Sequence, residues 1–283
     1  MHTCLKLRRI RLTHEACEVM RSLKSSWSMV RLEAVIGEVE EAIQIFLAQD
    51  SSIEHLSFGS MSRIMNLDAW RSLGKGLQLT TSSNLHSLVL NYMDIPIDFG
   101  HYLGEALRIN QSLQYIGLFF VNWMPSPAAG AAGEDEDTSG LDIEFAISLS
   151  RGLSENRHLL ELDLVGCYLS DTSASKIVRS LRMHPAMQKL GLSSNRCGQE
   201  TSVALAELLR EPTTALVELY LNNQARPTSR RCRDVGTDTP LNISVLASAL
   251  RDNRSLRVLD LTDLHLGDEE VDSLMSALSA VPE

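Results

Sequence analysis

One spacing of apolar residues returns along this chain seven times, and it constrains the fold more than anything else in the sequence. Leu159, Leu162 and Leu164 fall as L-x-x-L-x-L, with Cys167 and Leu169 after them. The same spacing holds at Ile53, Leu56 and Phe58, at Leu85, Leu88 and Leu90, and at Leu113, Ile116 and Leu118. It holds again at Met187, Leu190 and Leu192, at Leu216, Leu219 and Leu221, and at Leu256, Leu259 and Leu261. A fainter copy is read at Leu7, Ile10 and Leu12. Starts 85 and 113 are 28 residues apart, 159 and 187 are 28 apart, and 187 and 216 are 29 apart. The steps from 113 to 159 and from 216 to 256, 46 and 40 residues, each contain an insertion. A fixed period of this length is the mark of a stacked repeat.

Each period has a second half. Pairs such as Ile43 and Leu47, Leu103 and Leu107, Leu149 and Leu153, Ile177 and Leu181, Leu205 and Leu209, and Leu246 and Leu250 stand four apart. That spacing is one face of a helix. Asn110, Asn156 and Asn253 each precede a strand start by three residues and read as C-cap or turn residues, because Asn tolerates the left-handed conformation that ends a helix. The unit is thus a short strand, a turn and a helix of about three turns. One unit cannot bury its apolar side, so the units must stack into one elongated core with a parallel sheet on one side. Helices are wider than the strand spacing, so the sheet lies on the concave side. The 45 leucines among 283 residues are assigned mostly to that shared interior.

The segments ALRINQSLQYIGL, GLSENRHLLELDL and ALRDNRSLRVLDLTDLHLGDEEV resemble leucine-rich repeats of the ribonuclease-inhibitor type. The resemblance covers about residues 36–280 and implies an α/β horseshoe solenoid with helices on the convex side, and an intracellular setting. The family places Asn or Cys eight residues after each strand start; here Cys167 and Asn195 comply, while Met61, Met93, Val121, Gln224 and Leu264 do not. Less regular turns and a less stable array are expected from that departure. Residues 1–35 read as an irregular N-terminal segment, either a divergent first repeat or a cap, with a helix resuming near Leu32–Gln49. Residues 36–283 read as the repeat domain.

The insertions near 125–140 and 225–240 carry opposite charge, Glu134–Asp137 in the first and Arg226, Arg230, Arg231 and Arg233 in the second. Both leave a strand before a helix and so share one rim, either as a paired docking edge or as two separately solvated loops. The overall balance of 26 basic to 36 acidic side chains argues against a dedicated nucleic-acid binder. No apolar run spans a bilayer, and the start, MHTCLKLRRIRLTHE, is not a signal peptide. Five scattered cysteines form no disulfide framework, which points to a cytoplasmic or nuclear protein.

Familiar catalytic arrangements are missing from the sequence: there is no phosphate loop, no H-E-x-x-H and no G-x-S-x-G. His14, Cys17 and Glu18 are too few to read as a metal site, and no cofactor is expected. What remains is a surface. Alternate strand residues face away from the core, so Tyr115, Phe119, Glu161, Asp163, Glu218, Tyr220 and Asp260 line the concave sheet, with Trp123 extending the patch. Aromatics ringed by carboxylates suit a protein partner with a basic surface. The expected function is a non-catalytic interaction module. The alternatives are a GTPase-activating protein on the same scaffold, with Arg196 beside Asn195 or the Arg226–Arg233 loop as its only candidates, and a ligand-sensing region of a larger regulatory protein.

Overall fold

The computed structural model describes residues 3–48, 51–60, 65–79, 84–125, 140–224 and 240–279. Nine strands of these residues form one parallel sheet in chain order: β1 (Cys4–Arg8), β3 (Met29–Glu33), β5 (His55–Gly59), β6 (Ser87–Asn91), β8 (Tyr115–Phe119), β10 (Glu161–Val165), β11 (Lys189–Gly191), β12 (Glu218–Tyr220) and β13 (Val258–Asp260). The helices α1 (His14–Leu23), α2 (Val39–Phe46), α3 (Leu67–Leu79), α4 (Ile97–Ile109), α5 (Leu141–Glu155), α6 (Asp171–Ser180), α7 (Gln199–Arg210), α8 (Ile243–Leu250) and α9 (Asp268–Ser279) alternate with them. Two short parallel ladders lie just past the main strands, β2 (Arg11–Leu12) with β4 (Ile36–Gly37) and β7 (Asp94–Pro96) with β9 (Asn122–Met124). Consecutive repeats pair in register, so that Leu56, Leu88, Ile116, Leu162, Leu190 and Leu219 form one buried row and Phe58, Leu90, Leu118 and Leu164 the next.

The N-terminal stretch is more regular than its sequence suggests. β1 pairs with β3 through Leu5↔Val30 and Leu7↔Leu32, so the first strand is Cys4–Arg8 and not a strand over Leu7–Leu12. Met29–Glu33 is a strand where a helix was expected to resume, and α2 begins only at Val39. Trp27, Val30 and Leu32 carry the repeat spacing with an aromatic in first place. Thr13 caps α1, its hydroxyl accepting from the Ala16 amide.

The turns that follow the strands are also regular. The residue directly after each strand of the main sheet has a left-handed backbone in β1, β3, β5, β6, β8 and β10: Arg9, Ala34, Ser60, Tyr92, Phe120 and Gly166, with φ between 50° and 64°. Ser194, Asn223 and Asp263 repeat it three residues beyond the shorter strands. The expectation of irregular turns is therefore corrected, and the reason is visible at the eighth position. Asn195 accepts from the Cys167 and Leu169 amides and donates to the Leu164 and Leu192 carbonyls. Gln224 does the same with a side chain one carbon longer, accepting from the Cys197 amide and donating to the Leu192 and Leu221 carbonyls. Met93 and Val121 fill the position with buried apolar volume instead.

At the opposite end of the strands, the asparagines work through their side chains. Asn110 and Asn156 have extended backbones, with φ of −76° and −68°, and are not left-handed caps. The Asn156 amide donates to the Leu107 carbonyl of the preceding repeat at 2.6 Å, and its oxygen accepts from the His158 and Leu159 amides. Asn110 and Asn253 make the equivalent bonds to Leu77 and Leu209. His184 occupies the same position: its Nδ1 accepts from the Ala186 and Met187 amides, and its Nε2 lies 3.3 Å from the Asn156 oxygen. Helix starts are tied across repeats as well. Asp171 accepts from the Gly198, Glu200 and Thr201 amides, placing a carboxylate at the N-terminus of α7.

These staples generate two predictions. Asn156→Ala takes the partner from three backbone groups, the Leu107 carbonyl and the His158 and Leu159 amides, and should cost about 3 kcal/mol, read as a lower urea midpoint. Burial pushes the His184 imidazole down to about 4, with the charges of Arg157 and His158 adding to the effect. Above the ordinary histidine value neither folded nor unfolded chain holds the proton, and the neutral ring is fully stabilising. As pH falls from about 6.5 towards 4, only the unfolded chain takes the proton, and roughly 3 kcal/mol of stability is lost. His184→Asn, which restores the residue of the neighbouring repeats, should remove that slope from the urea midpoint measured against pH.

Candidate functional site

The parallel register sets the outward-facing side chains of the sheet in rows, two of which build the site. One runs Ser87, Tyr115, Glu161, Lys189, Glu218 and Val258; the next runs Val89, Gly117, Asp163, Gly191, Tyr220 and Asp260. Residues far apart in sequence thus come to lie one strand apart. The Tyr115 hydroxyl donates to Asp163 at 3.2 Å, and the Lys189 ammonium donates to the same carboxylate oxygen at 3.0 Å. Lys189 also stands 3.8 Å from Glu161 and 5.5 Å from the centre of the Tyr220 ring. Tyr220 donates to Glu218 at 2.9 Å. Six side chains on four strands make one connected polar network.

Asp163 is its centre and is only 6% exposed. Gly191 makes its position available: a Cβ there would stand 2.2 Å from the Asp163 oxygen. Burial opposes the Lys189 charge, but the bond to Asp163 and the fields of Asp163 and Glu161 outweigh it and raise its pKa. Burial first, and then the Asp163 charge, push the Tyr115 phenol far above its ordinary range. At the edge of the sheet, Asp260 accepts from the Thr262 hydroxyl and amide, which lowers its pKa. Phe119 stands half-buried at the end of the same strand as Tyr115. Seven of the eight expected residues therefore share this face.

Trp123 does not. It lies in β9, its ring is stacked on Phe145 with centroids 4.0 Å apart, and its indole N–H donates to the Cys167 carbonyl. The strand has turned the corner into the short second ladder by that point, so Trp123 packs into the interior and cannot extend the patch.

A different aromatic group is exposed on the rim. Tyr92 and Phe120, both in the left-handed row, stack with centroids 5.2 Å apart and planes 7° from parallel. Tyr92 is 58% exposed and Phe120 44%. The Phe120 ring also rests on Gly166, where a Cβ would stand 2.5 Å from the ring and φ is +64°. Tyr168 and Met124 are exposed on the same strand-to-helix side. Sequence reading passed over Tyr92 and Phe120 because they follow the last strand position; the signal available was an aromatic at the same place in consecutive repeats.

The remaining candidates have structural duties. Asn195 is buried in its turn, and Arg196 donates to the Tyr168 carbonyl. His14, Glu18 and Glu41 approach within 4.8 Å of one another, but Arg21 already donates to both carboxylates. Cys17 faces the core, where burial pushes its thiol up to about 11. The loops bearing Glu134–Asp137 and Arg226–Arg233 lie outside the described residues. Among the described residues, no helix is long and apolar enough to cross a membrane.

A one-layer parallel sheet backed by one helix per strand, with strand steps of 25 to 32 residues apart from the two that carry insertions, defines a leucine-rich repeat solenoid. The chain has that fold, and its sequence is similar to repeat proteins of the ribonuclease-inhibitor type. It is 31% identical over 201 residues to the ribonuclease inhibitor of Mus musculus, a match covering 71% of this chain and 38% of that protein. It is 26% identical over 268 residues to the NACHT, LRR and PYD domains-containing protein 5 of Mus musculus, covering 93% of this chain and 20% of that protein. The chain thus spans well under half the length of either relative. No protein-family model matches it.

The network makes a direct prediction. Asp163→Asn removes the charge that adds to burial in raising Tyr115, so ultraviolet titration should show that phenol ionising at lower pH than in the wild type. An unchanged phenol titration would mean that Asp163 does not reach Tyr115 in solution.

Proposed function

We propose that this chain is a non-catalytic module that holds another protein against its concave sheet and strand-to-helix rim. The single observation that carries the reading is the network of Tyr115, Asp163, Lys189 and Tyr220, flanked by Phe119 and by the stacked Tyr92 and Phe120. Its parts are held in place before any partner arrives, which lowers the entropy lost on binding. Aromatic side chains beside paired charges are also the composition that interface centres favour. Glu161, Glu218 and Asp260 add a negative field that steers a basic partner surface. A relative named as the inhibitor of a ribonuclease supports action by binding.

The cysteines support a cytoplasmic or nuclear setting: Cys17, Cys167 and Cys197 are buried, unpaired thiols. The match to a fifth of a much longer relative also suits a repeat region within a larger regulatory protein. The GTPase-activating alternative gains nothing from Arg196, whose guanidinium is engaged with the Tyr168 carbonyl.

Quantitative pull-down with the wild type and with Tyr115→Ala/Phe119→Ala/Asp163→Ala tests the proposal. Loss of the aromatic anchors should weaken specific capture about 30-fold or more, the effect of removing an interface centre. Tyr92→Ala/Phe120→Ala should weaken it separately if the rim takes part. Retention of every specific partner by the triple variant would sink the concave-face reading. Rates of GTP hydrolysis by small GTPases should not change on adding the protein.

A further inference from the structure

The concave face is ordered by charge along the stack. β1 and β3 present Lys6, Arg8 and Arg31 against one carboxylate, Glu33, which is 3.1 Å from Arg8 and 2.6 Å from Arg31. β10 to β13 present Glu161, Asp163, Glu218 and Asp260 against one ammonium, Lys189. The three strands between, β5, β6 and β8, turn His55, Ser57, Ser87, Val89, Asn91, Tyr115 and Phe119 to this face and carry no carboxylate, lysine or arginine.

The two ends differ in how their charges are satisfied. At the acidic end, Lys189 stands directly between Glu161 and Glu218 in the register, and Asp163 is paired with it. At the basic end, Lys6 stands directly opposite Arg31 on the neighbouring strand, an unfavourable arrangement of like charges, and both side chains are exposed. Glu33 engages the two arginines, while Lys6 lies two register positions before the Arg8–Glu33 pair. A carboxylate laid across Lys6 and Arg31 would relieve that repulsion. From β3 to β10 is four strand steps, about 19 Å. That exceeds the Debye length of about 8 Å at physiological salt, so the two fields do not cancel.

We propose that the concave sheet takes a polypeptide of opposite charge order, its acidic end over Lys6 and Arg31 and its basic end over Glu161 and Glu218, with an apolar middle on Val89, Tyr115 and Phe119. This rests on the reading of the concave sheet as the partner face and adds to it the arrangement and direction of the partner. β1 to β12 spans about 34 Å, which an extended segment of about 10 residues crosses.

The test uses the full chain and a synthetic peptide of about 14 residues, with four glutamates, a leucine- and serine-containing middle and four lysines, long enough to cover that span. The controls are the same composition with alternating charges and an all-lysine version. Fluorescence anisotropy at about 50 mM salt reads affinity, with electrostatic attraction little screened. A benzophenone at either peptide end then reads position by photo-crosslinking. The ordered peptide should bind about tenfold more tightly than the alternating one. Lys6→Ser/Arg31→Ser and Glu161→Gln/Glu218→Gln should each weaken it by a similar factor, with unchanged circular dichroism. Its glutamate end should crosslink to β1 and β3 and its lysine end to β10–β13. Equal binding of the ordered and alternating peptides, indifference to Lys6→Ser/Arg31→Ser, or reversed crosslinks would overturn the proposal. If the all-lysine peptide binds as tightly as the ordered one and only Glu161→Gln/Glu218→Gln weakens it, the charge order is wrong while the concave face stands as a site for basic partners. Crosslinks confined to the helices would remove both readings.

Discussion

A single repeat of this chain leaves backbone groups on both edges of its strand without partners, and an apolar side open to water. Every other feature depends on how neighbours supply what is missing. In-register pairing does so for the strands, and the buried rows through Leu56 to Leu219 and Phe58 to Leu164 close the interior. Burial of a leucine stabilises by about 2 kcal/mol, and the gain is realised only when the next repeat is present. Polar staples then fix the spacing. Asn110, Asn156, His184 and Asn253 join the helix ends to the strand starts, and Asn195 and Gln224 join the turns on the other side.

That spacing also builds the candidate site. Register places Tyr115, Asp163, Lys189 and Tyr220 on successive strands, although they span more than a hundred residues of sequence. The same register stacks Tyr92 on Phe120, because each follows its strand in a left-handed turn. The polar network costs desolvation, which its internal bonds offset, and Asp163 shows the balance most clearly. It is nearly buried, yet it has an ammonium and a phenol as partners. A surface with such internal order presents fixed aromatics and carboxylates to a partner, and binding it need not rearrange them.

Much of this was legible in the residues themselves. The strand starts, the helical pairs and seven of the eight candidate side chains followed from periods of two and 3.6, because alternation decides which side of a strand a residue takes. Trp123 failed because alternation holds only while the strand continues, and the chain bends into β9 before that residue. Gln224 was read as a departure because its chemistry was compared by residue type; its amide reaches the same carbonyls with one more carbon. Met29–Glu33 escaped because its copy of the motif opens with Trp27 and carries Arg31 in the exposed row.

By itself, then, the sequence determined the repeat, its period, the class of fold and the side of the sheet on which most of the surface residues stand. These depend on local periodicity, and each unit carries its own copy of the signal. Only the tertiary structure decided that Asp163 is held by Lys189 and Tyr115, that Trp123 is buried, that Tyr92 meets Phe120, and that Lys6 lies against Arg31. Those outcomes are lateral contacts between different repeats. They depend on register and on the direction each side chain takes, and neither is written in the spacing of any one repeat.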